Sequence, residues 1–364
     1  MDKTVPNDLH TARELHARKI VIDTHCDTTQ HLLNPDWDIT EKHEEGHVDI
    51  PRMREGGIDA MFFAVYAPRP NAPGEGIAAA RRQIDAIHCM AQRHENQIAL
   101  ARNADDVRAA KKSGKIAVLI AIEGGYLIED SLDILREYHE AGATYLTLTH
   151  GFHTTWADSA GVHEDLPPLH NGLAPFGKDV IRDLNRLGMM VDVSHASDKT
   201  FWDALDLSRA PIIATHSSCR AISPHRRNMS DEMILALAKA GGVIQINFAA
   251  AFIDPDYPPI DNECLTAWRT NQTLEKPAFL QHATPLDVLV DHFDHALQLV
   301  GPDHVGIGTD FDGVPALPDG MQDCSMLMNL TAALLARGYG ADDLSKMLGE
   351  NVLRVMDAVR KQAE

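Results

Sequence analysis

Eight short runs of apolar, largely β-branched residues recur along this chain, and stretches with helical spacing of apolar positions lie between them. The runs occupy residues 20–24, 60–65, 116–122, 144–149, 189–194, 211–215, 242–248 and 304–309. Several show no polar alternation, the mark of strands covered on both faces. Helical patterns fill 76–95, 105–113, 131–141, 177–187, 231–240, 285–300 and 324–336. Ser230, followed by Asp231 and Glu232, has the character of an N-cap with an acidic first turn. Gly188 and Gly241 stand where helix C-caps belong. Strand and helix alternating eight times predict an α/β fold, a (β/α)8 TIM barrel. An open doubly wound sheet is the runner-up. It expects a Gly-rich phosphate loop after the first strand, and the residues after 24 contain none.

The remainder sharpens this frame. Residues 341–364 read as extra C-terminal helices, and long loops are expected at 67–76 and 254–284, where lids or substrate walls of barrels lie. No break in composition divides the chain, so one domain over 1–364 is expected. With 364 residues, 44% of them hydrophobic, a large core is available. The formal charge of −20, from 33 basic and 53 acidic residues, argues against nucleic acid as a partner and suits work on small molecules. No apolar stretch approaches the roughly 18–20 residues that span a bilayer, so no membrane partner is expected. The polar, mixed-charge N-terminus lacks the apolar core of a signal peptide. Cys26, Cys89, Cys219, Cys264 and Cys324 are scattered and form no C-x-x-C pair. That fits a reducing compartment, and a cytoplasmic location is expected.

Polar residues capable of binding metal or moving protons fall at the ends of six of these runs. They are His25 and Asp27 after the first, then Glu123, His150, His195, His216 and, after the last, Asp310. Barrel enzymes keep their active sites on the face where strands end. A lone His there is more often a hydrogen-bonded structural residue, and a lone Asp a helix N-cap. Asp192 and Asp312 are open to that structural reading. A carboxylate such as Glu123 in an apolar run is costly unless paired or metal-bound. Seven such residues on one rim overturn the separate structural explanations. Residues i and i+2 of a strand face the same way, so His25 and Asp27 can grip one ion. His195 and His216 can supply a second, and Glu123 can give one oxygen to each. Mixed N/O ligation suits Zn²⁺, with Mn²⁺ and Co²⁺ left open. Two such ions generate hydroxide from a shared water near neutral pH. Asp310 then stands where a general base and acid is wanted, and His150 where an oxyanion needs a partner.

Residues 21–27, 48–57, 122–125, 146–150, 156–159, 191–195, 216–228, 305–313 and 349–355, in that order, resemble the membrane dipeptidase (renal dipeptidase) family, peptidase family M19 of the amidohydrolase superfamily. The resemblance implies a barrel with two Zn²⁺ per subunit. It assigns His25, Asp27 and Glu123 to one ion and Glu123, His195 and His216 to the other. It also implies substrate contact by His150, a proton shuttle at Asp310 and a substrate-carboxylate anchor at Arg227. By residue type alone Arg227 would be a solvated loop charge. The implied reaction is hydrolysis of a dipeptide by a metal-bridging hydroxide, and a homodimer is suggested. Animal members are secreted, lipid-anchored and disulfide-bonded, whereas this sequence shows neither a leader nor a hydrophobic C-terminal tail. Two rival readings stand beside it. One is a binuclear amidohydrolase acting on N-acyl amino acids or lactams; the other is a non-catalytic metal-binding barrel.

Overall fold

The structure is a computed structural model that describes residues 6–162, 166–269 and 275–363. Its sheet is built from β1 (Ile22–Cys26), β2 (Ala60–Val65), β3 (Ile98–Leu100), β4 (Ile116–Glu123), β5 (Ala143–Thr147), β6 (Met190–Asp192), β7 (Ile213–Ser217), β8 (Val243–Ile246) and β9 (Val305–Ile307). All pairings are parallel, in the order β1-β2-β4-β5-β6-β7-β8-β9. Asp310 N donates to His25 O (3.1 Å) and Asp27 N to Phe311 O (2.8 Å), which brings the last strand back to the first. The result is a nearly closed barrel of eight parallel strands, as the alternating pattern predicts. Each expected run overlaps a barrel strand whose ends differ from it by no more than two residues.

β3 is an addition. It pairs with Ile116–Val118 of β4, ahead of the point where β5 joins at Ile120. Helices at Pro6–Arg18, Ile50–Gly56 and Asp198–Leu207 add to the expected set. The long loop expected at 254–284 is broken by helices Asn262–Arg269 and Ala278–Gln281; residues 270–274 of it lie outside the described residues. The expected C-terminal helices are present as Ala341–Ser345, a π-helical turn at Lys346–Glu350, and Asn351–Lys361. Ser230 caps its helix by accepting from Met233 N, and Gly188 caps another with φ 73°.

Strand alternation sorts the core into two populations. Met61, Phe63 and Val65 of β2, with Val118, Ile120 and Ile122 of β4, pack with the helical layer. Ala60, Phe62, Ala117, Leu119 and Ala121 belong to a second cluster with Tyr145, Met190 and Ile213. Val352, Val355, Met356 and Val359 of the last helix join that second cluster. This explains the unbroken apolar runs, since both faces of each strand are covered. It also fixes where polar residues can emerge. The inner series 117, 119 and 121 reaches its next member at Glu123, the last residue of β4.

Candidate active site

Local breaks in strand regularity help place the site. The β1–β2 register shifts between Asp23 and Cys26, and the β7–β8 register between Ala214 and Ser217. A shift of one residue exchanges the faces of everything after it. Ile22 and Ile213 start in the inner cluster, so uninterrupted alternation would send His25 and His216 outward. With the shifts, Cys26 joins the outer core, and His25 and His216 stack on each other with ring centroids 3.8 Å apart. His195 and Asp310 follow the ends of β6 and β9 with φ of 67° and 64°. Non-glycine residues rarely adopt this region, and where they do it often belongs to a functional site.

The structure brings all seven rim residues together. His195 Nε2 lies 3.0 Å from Glu123 Oε1 and 2.9 Å from His216 Nε2. Glu123 Oε1 is also 3.4 Å from His25 Nε2, 3.4 Å from His216 Nε2 and 3.9 Å from His150 Nε2. His25 Nε2 is 3.8 Å from Asp27 Oδ2 and 3.9 Å from Asp310 Oδ1. Ligand atoms within 4.8 Å of one another form three triads: His25, Glu123 and His216; Glu123, His150 and His195; His25, Asp27 and Asp310. These triads cross the division expected from sequence, because Glu123 stands between both groups of imidazoles. Gly313 makes room for this crowd, since a Cβ there would fall 1.9 Å from Asp27 Oδ2 and 2.5 Å from Asp310 Oδ1.

Arg227 is no solvated loop charge. It is 3% exposed, and Nη2 donates to His216 O at 3.2 Å while Nε has no hydrogen-bond partner among the described residues. Burial lowers its pKa to about 10, which leaves it a cation at neutral pH. Asp192 and Asp312, by contrast, are structural. Asp192 accepts from Thr147 Oγ1, Ser194 N, Thr215 N and Thr215 Oγ1. Asp312 accepts from Thr28 Oγ1 and His47 N.

Charges in the cluster are set by mutual crowding. Burial, then Glu123 and Asp310, push the Asp27 carboxyl well above its usual range. Burial acts to raise Glu123 too, but His25, His150, His195 and His216 outweigh it and hold that carboxylate well below its usual range. Burial would lower His25, yet Glu123, Asp27 and Asp310 raise it to about 10. His25 Nε2 and His195 Nδ1 are buried without a hydrogen-bond partner among the described residues. Orphaned imidazole nitrogens beside closely crowded carboxyl groups are a donor set that suits divalent cations. The residues therefore fit a metal centre.

The cluster opens into a cleft of about 270 Å³ whose far wall is apolar, with Val162, Phe252, Ile260, Val314 and Ala316. Ile260 comes from the segment expected to form a substrate wall. Sequence reasoning missed Asn247, whose Nδ2 donates to Asp310 Oδ2 at 2.8 Å. It is an amide inside the apolar run 242–248, and that anomaly was the available signal.

A model of the membrane dipeptidase family (peptidase family M19) matches residues 9–364. The chain belongs to this family. A dipeptidase of Claviceps purpurea, tcpJ, is 35% identical over 326 residues, covering 87% of this chain and 70% of its own. Among solved structures, the probable dipeptidase PvdM from Pseudomonas aeruginosa superposes with a TM-score of 0.84 at 28% identity, covering 99% of this chain and 100% of that one. A metallopeptidase from Rhodobacter sphaeroides, liganded with a phosphinate mimic of the dipeptide L-Ala-D-Ala, gives 0.81 at 27% identity, covering 94% and 99%. The family's fold and chemistry agree with the barrel and with the convergence of His, Asp and Glu at its rim. The chain is accordingly a metallo-dipeptidase of the M19 family, a hydrolase that takes a small peptide substrate.

Proposed function

We propose that this metallo-dipeptidase works with two Zn²⁺ ions, one held by His25, Asp27 and Glu123 and the other by Glu123, His195 and His216. The observation that carries the reading is the position of Glu123. Among the described carboxylates it alone reaches His25, His150, His195 and His216 within 3.9 Å. When bound, the ions acidify a water and polarise the scissile carbonyl. The protein's own groups do the rest. Arg227 holds the substrate's free carboxylate by charge-assisted hydrogen bonds. His150, at the mouth of the cluster, donates to the carbonyl oxygen as negative charge develops there. Asp310 takes the attacking water's proton and delivers it to the leaving amine, and Asn247 keeps its second oxygen oriented. The five free thiols, three of them buried, support a reducing, cytoplasmic location.

Elemental analysis of the purified protein, followed by a panel of dipeptides and N-acetylated amino acids, tests this reading. Two zinc equivalents per chain and turnover of dipeptides are expected, with loss of activity on chelation and recovery on adding Zn²⁺. Turnover confined to the acylated amino acids would replace the dipeptide by another amide. Restoration by Mn²⁺ or Co²⁺ but not Zn²⁺ would replace the metal.

A further inference from the structure

An imidazole can give a metal only the nitrogen that does not carry its proton, so something must decide which nitrogen that is. In this barrel two hydroxyl groups one layer below the rim lie against the Nδ1 atoms of His25 and His216. Tyr145 OH lies 2.9 Å from His25 Nδ1 and donates its proton to Thr24 O at 3.1 Å. A phenol has one proton to give. With it committed to a carbonyl, which only accepts, the oxygen is left to accept from His25 Nδ1–H.

The second case rests on a carboxylate. Thr215 Oγ1 lies 2.9 Å from His216 Nδ1 and donates to Asp192 Oδ2 at 2.7 Å. Asp192 already takes Thr147 Oγ1 at 2.6 Å and the amides of Ser194 and Thr215 at 3.0 and 2.9 Å. Four donors converging on two oxygens define an acceptor. The Thr215 proton is therefore spent downward, and its oxygen accepts from His216 Nδ1–H. Tyr145, Asp192 and Thr215 are all 0% exposed, so water does not compete for these bonds. His195 differs, because its Nδ1 is buried with no partner.

We propose that Tyr145 and Thr215 are positioning residues that keep the Nδ1 atoms of His25 and His216 protonated, so that Nε2 is the nitrogen each ring turns toward Glu123 and offers to an ion. The inference rests on the metal reading above, but its first test does not. In metal-free protein labelled with ¹⁵N-histidine, long-range ¹H–¹⁵N spectra report which ring nitrogen carries the proton. Both rings are expected to carry a proton on Nδ1, at His25 with or without a second one on Nε2; a bare Nδ1 at either residue overturns the proposal for that residue. Tyr145→Phe and Thr215→Val remove only the hydroxyl. Each is expected to release the tautomer of its own histidine and to weaken Zn²⁺ binding, measured by competition with a chelator, by about 10–100-fold. Thr215→Ser keeps the hydroxyl and should restore both signals. Unchanged spectra and Zn²⁺ affinity in Tyr145→Phe and Thr215→Val would overturn the positioning role. Correct tautomers with no Zn²⁺ bound would leave this proposal intact and remove the metal assignment instead.

Discussion

Two sets of buried carboxylates lie within a few residues of each other at the top of this barrel, and they are treated in opposite ways. Asp23 and Asp192, both 0% exposed, are saturated by protein donors. Asp23 accepts from His25 N, Thr309 N and Thr309 Oγ1, and Asp192 from four donors. One residue-layer higher, Asp27, Glu123 and Asp310 face one another and a group of imidazoles, and the protein supplies too few donors for them. A buried charge is tolerable when hydrogen-bonded and costly otherwise. The lower layer completes its own bonding and reads as scaffold. The upper layer leaves its bonding to be completed from outside, by ions and substrate, and reads as a site.

The largest expected effects separate the two layers by what each one loses. Asp310→Asn removes the proposed proton carrier but keeps the shape, and its amide oxygen can still accept from Asn247. We expect kcat to fall by roughly 10²–10⁴-fold with metal content unchanged. A metal-loaded variant that turns over normally would remove Asp310 from the proton path. Asp192→Asn has the opposite profile. It strands about two donors at roughly 1–3 kcal/mol each, so a stability loss of roughly 2–6 kcal/mol is expected in urea unfolding. Asp27→Asn, in the crowded layer, should instead raise the melting temperature of metal-free protein while weakening metal binding. If both substitutions destabilise the metal-free protein equally, the distinction between the layers fails.

The same comparison shows what the sequence could reveal. Strand order and the rim residues were legible because six of the eight apolar runs end in such a polar residue, and that pattern is local. The inward turn of His25 and His216 was not. It depends on register shifts between Asp23 and Cys26 and between Ala214 and Ser217, and a shift is a relation between two strands. The burial of Arg227 was hidden for the same reason. Nothing near it in sequence announces Phe252, whose ring lies 5.6 Å beneath its guanidinium. Asp192 and Asp310 look alike in sequence, each a carboxylate closing an apolar run. Only the donors around them tell scaffold from site.

Histidines elsewhere extend the comparison to pH. His16 Nδ1 bonds Gly56 O and its Nε2 bonds Thr331 Oγ1, each at 2.8 Å. His292 accepts from Cys219 N at 3.0 Å through Nδ1 and donates to Ile253 O at 2.9 Å through Nε2. Both rings are complete as neutral groups, and burial lowers both pKa values to about 4. Since the unfolded chain takes up these protons near pH 6.5, it binds more protons than the native state below that pH. The stabilisation is whole above about pH 6.5 and is lost as pH falls toward 4, roughly 3 kcal/mol for each ring. Urea midpoints from pH 7.5 down to 4.5 should fall, and His16→Gln should flatten that slope. An unchanged slope would mean that these two rings are not the satisfied counterparts of the rim histidines.

Arg227 gives the smallest effect and the finest test, because it is a cation left incomplete among groups of the opposite sign. Among the described residues its Nε has no partner and its Nη2 donates to the His216 carbonyl, so an anion entering the cleft would meet free donors. A charge-assisted hydrogen bond contributes about 1.5–3 kcal/mol. Arg227→Gln should therefore raise KM for a free dipeptide by about 10–100-fold while its cleft keeps the same apolar wall. The matching substrate change isolates the contact. A dipeptide amide lacks the carboxylate, so the native enzyme should discriminate against it by a similar factor and the variant should not. If the native enzyme cleaves acid and amide equally well, Arg227 does not anchor the carboxylate. Its burial would then belong with the scaffold layer that supports the site rather than with the site itself.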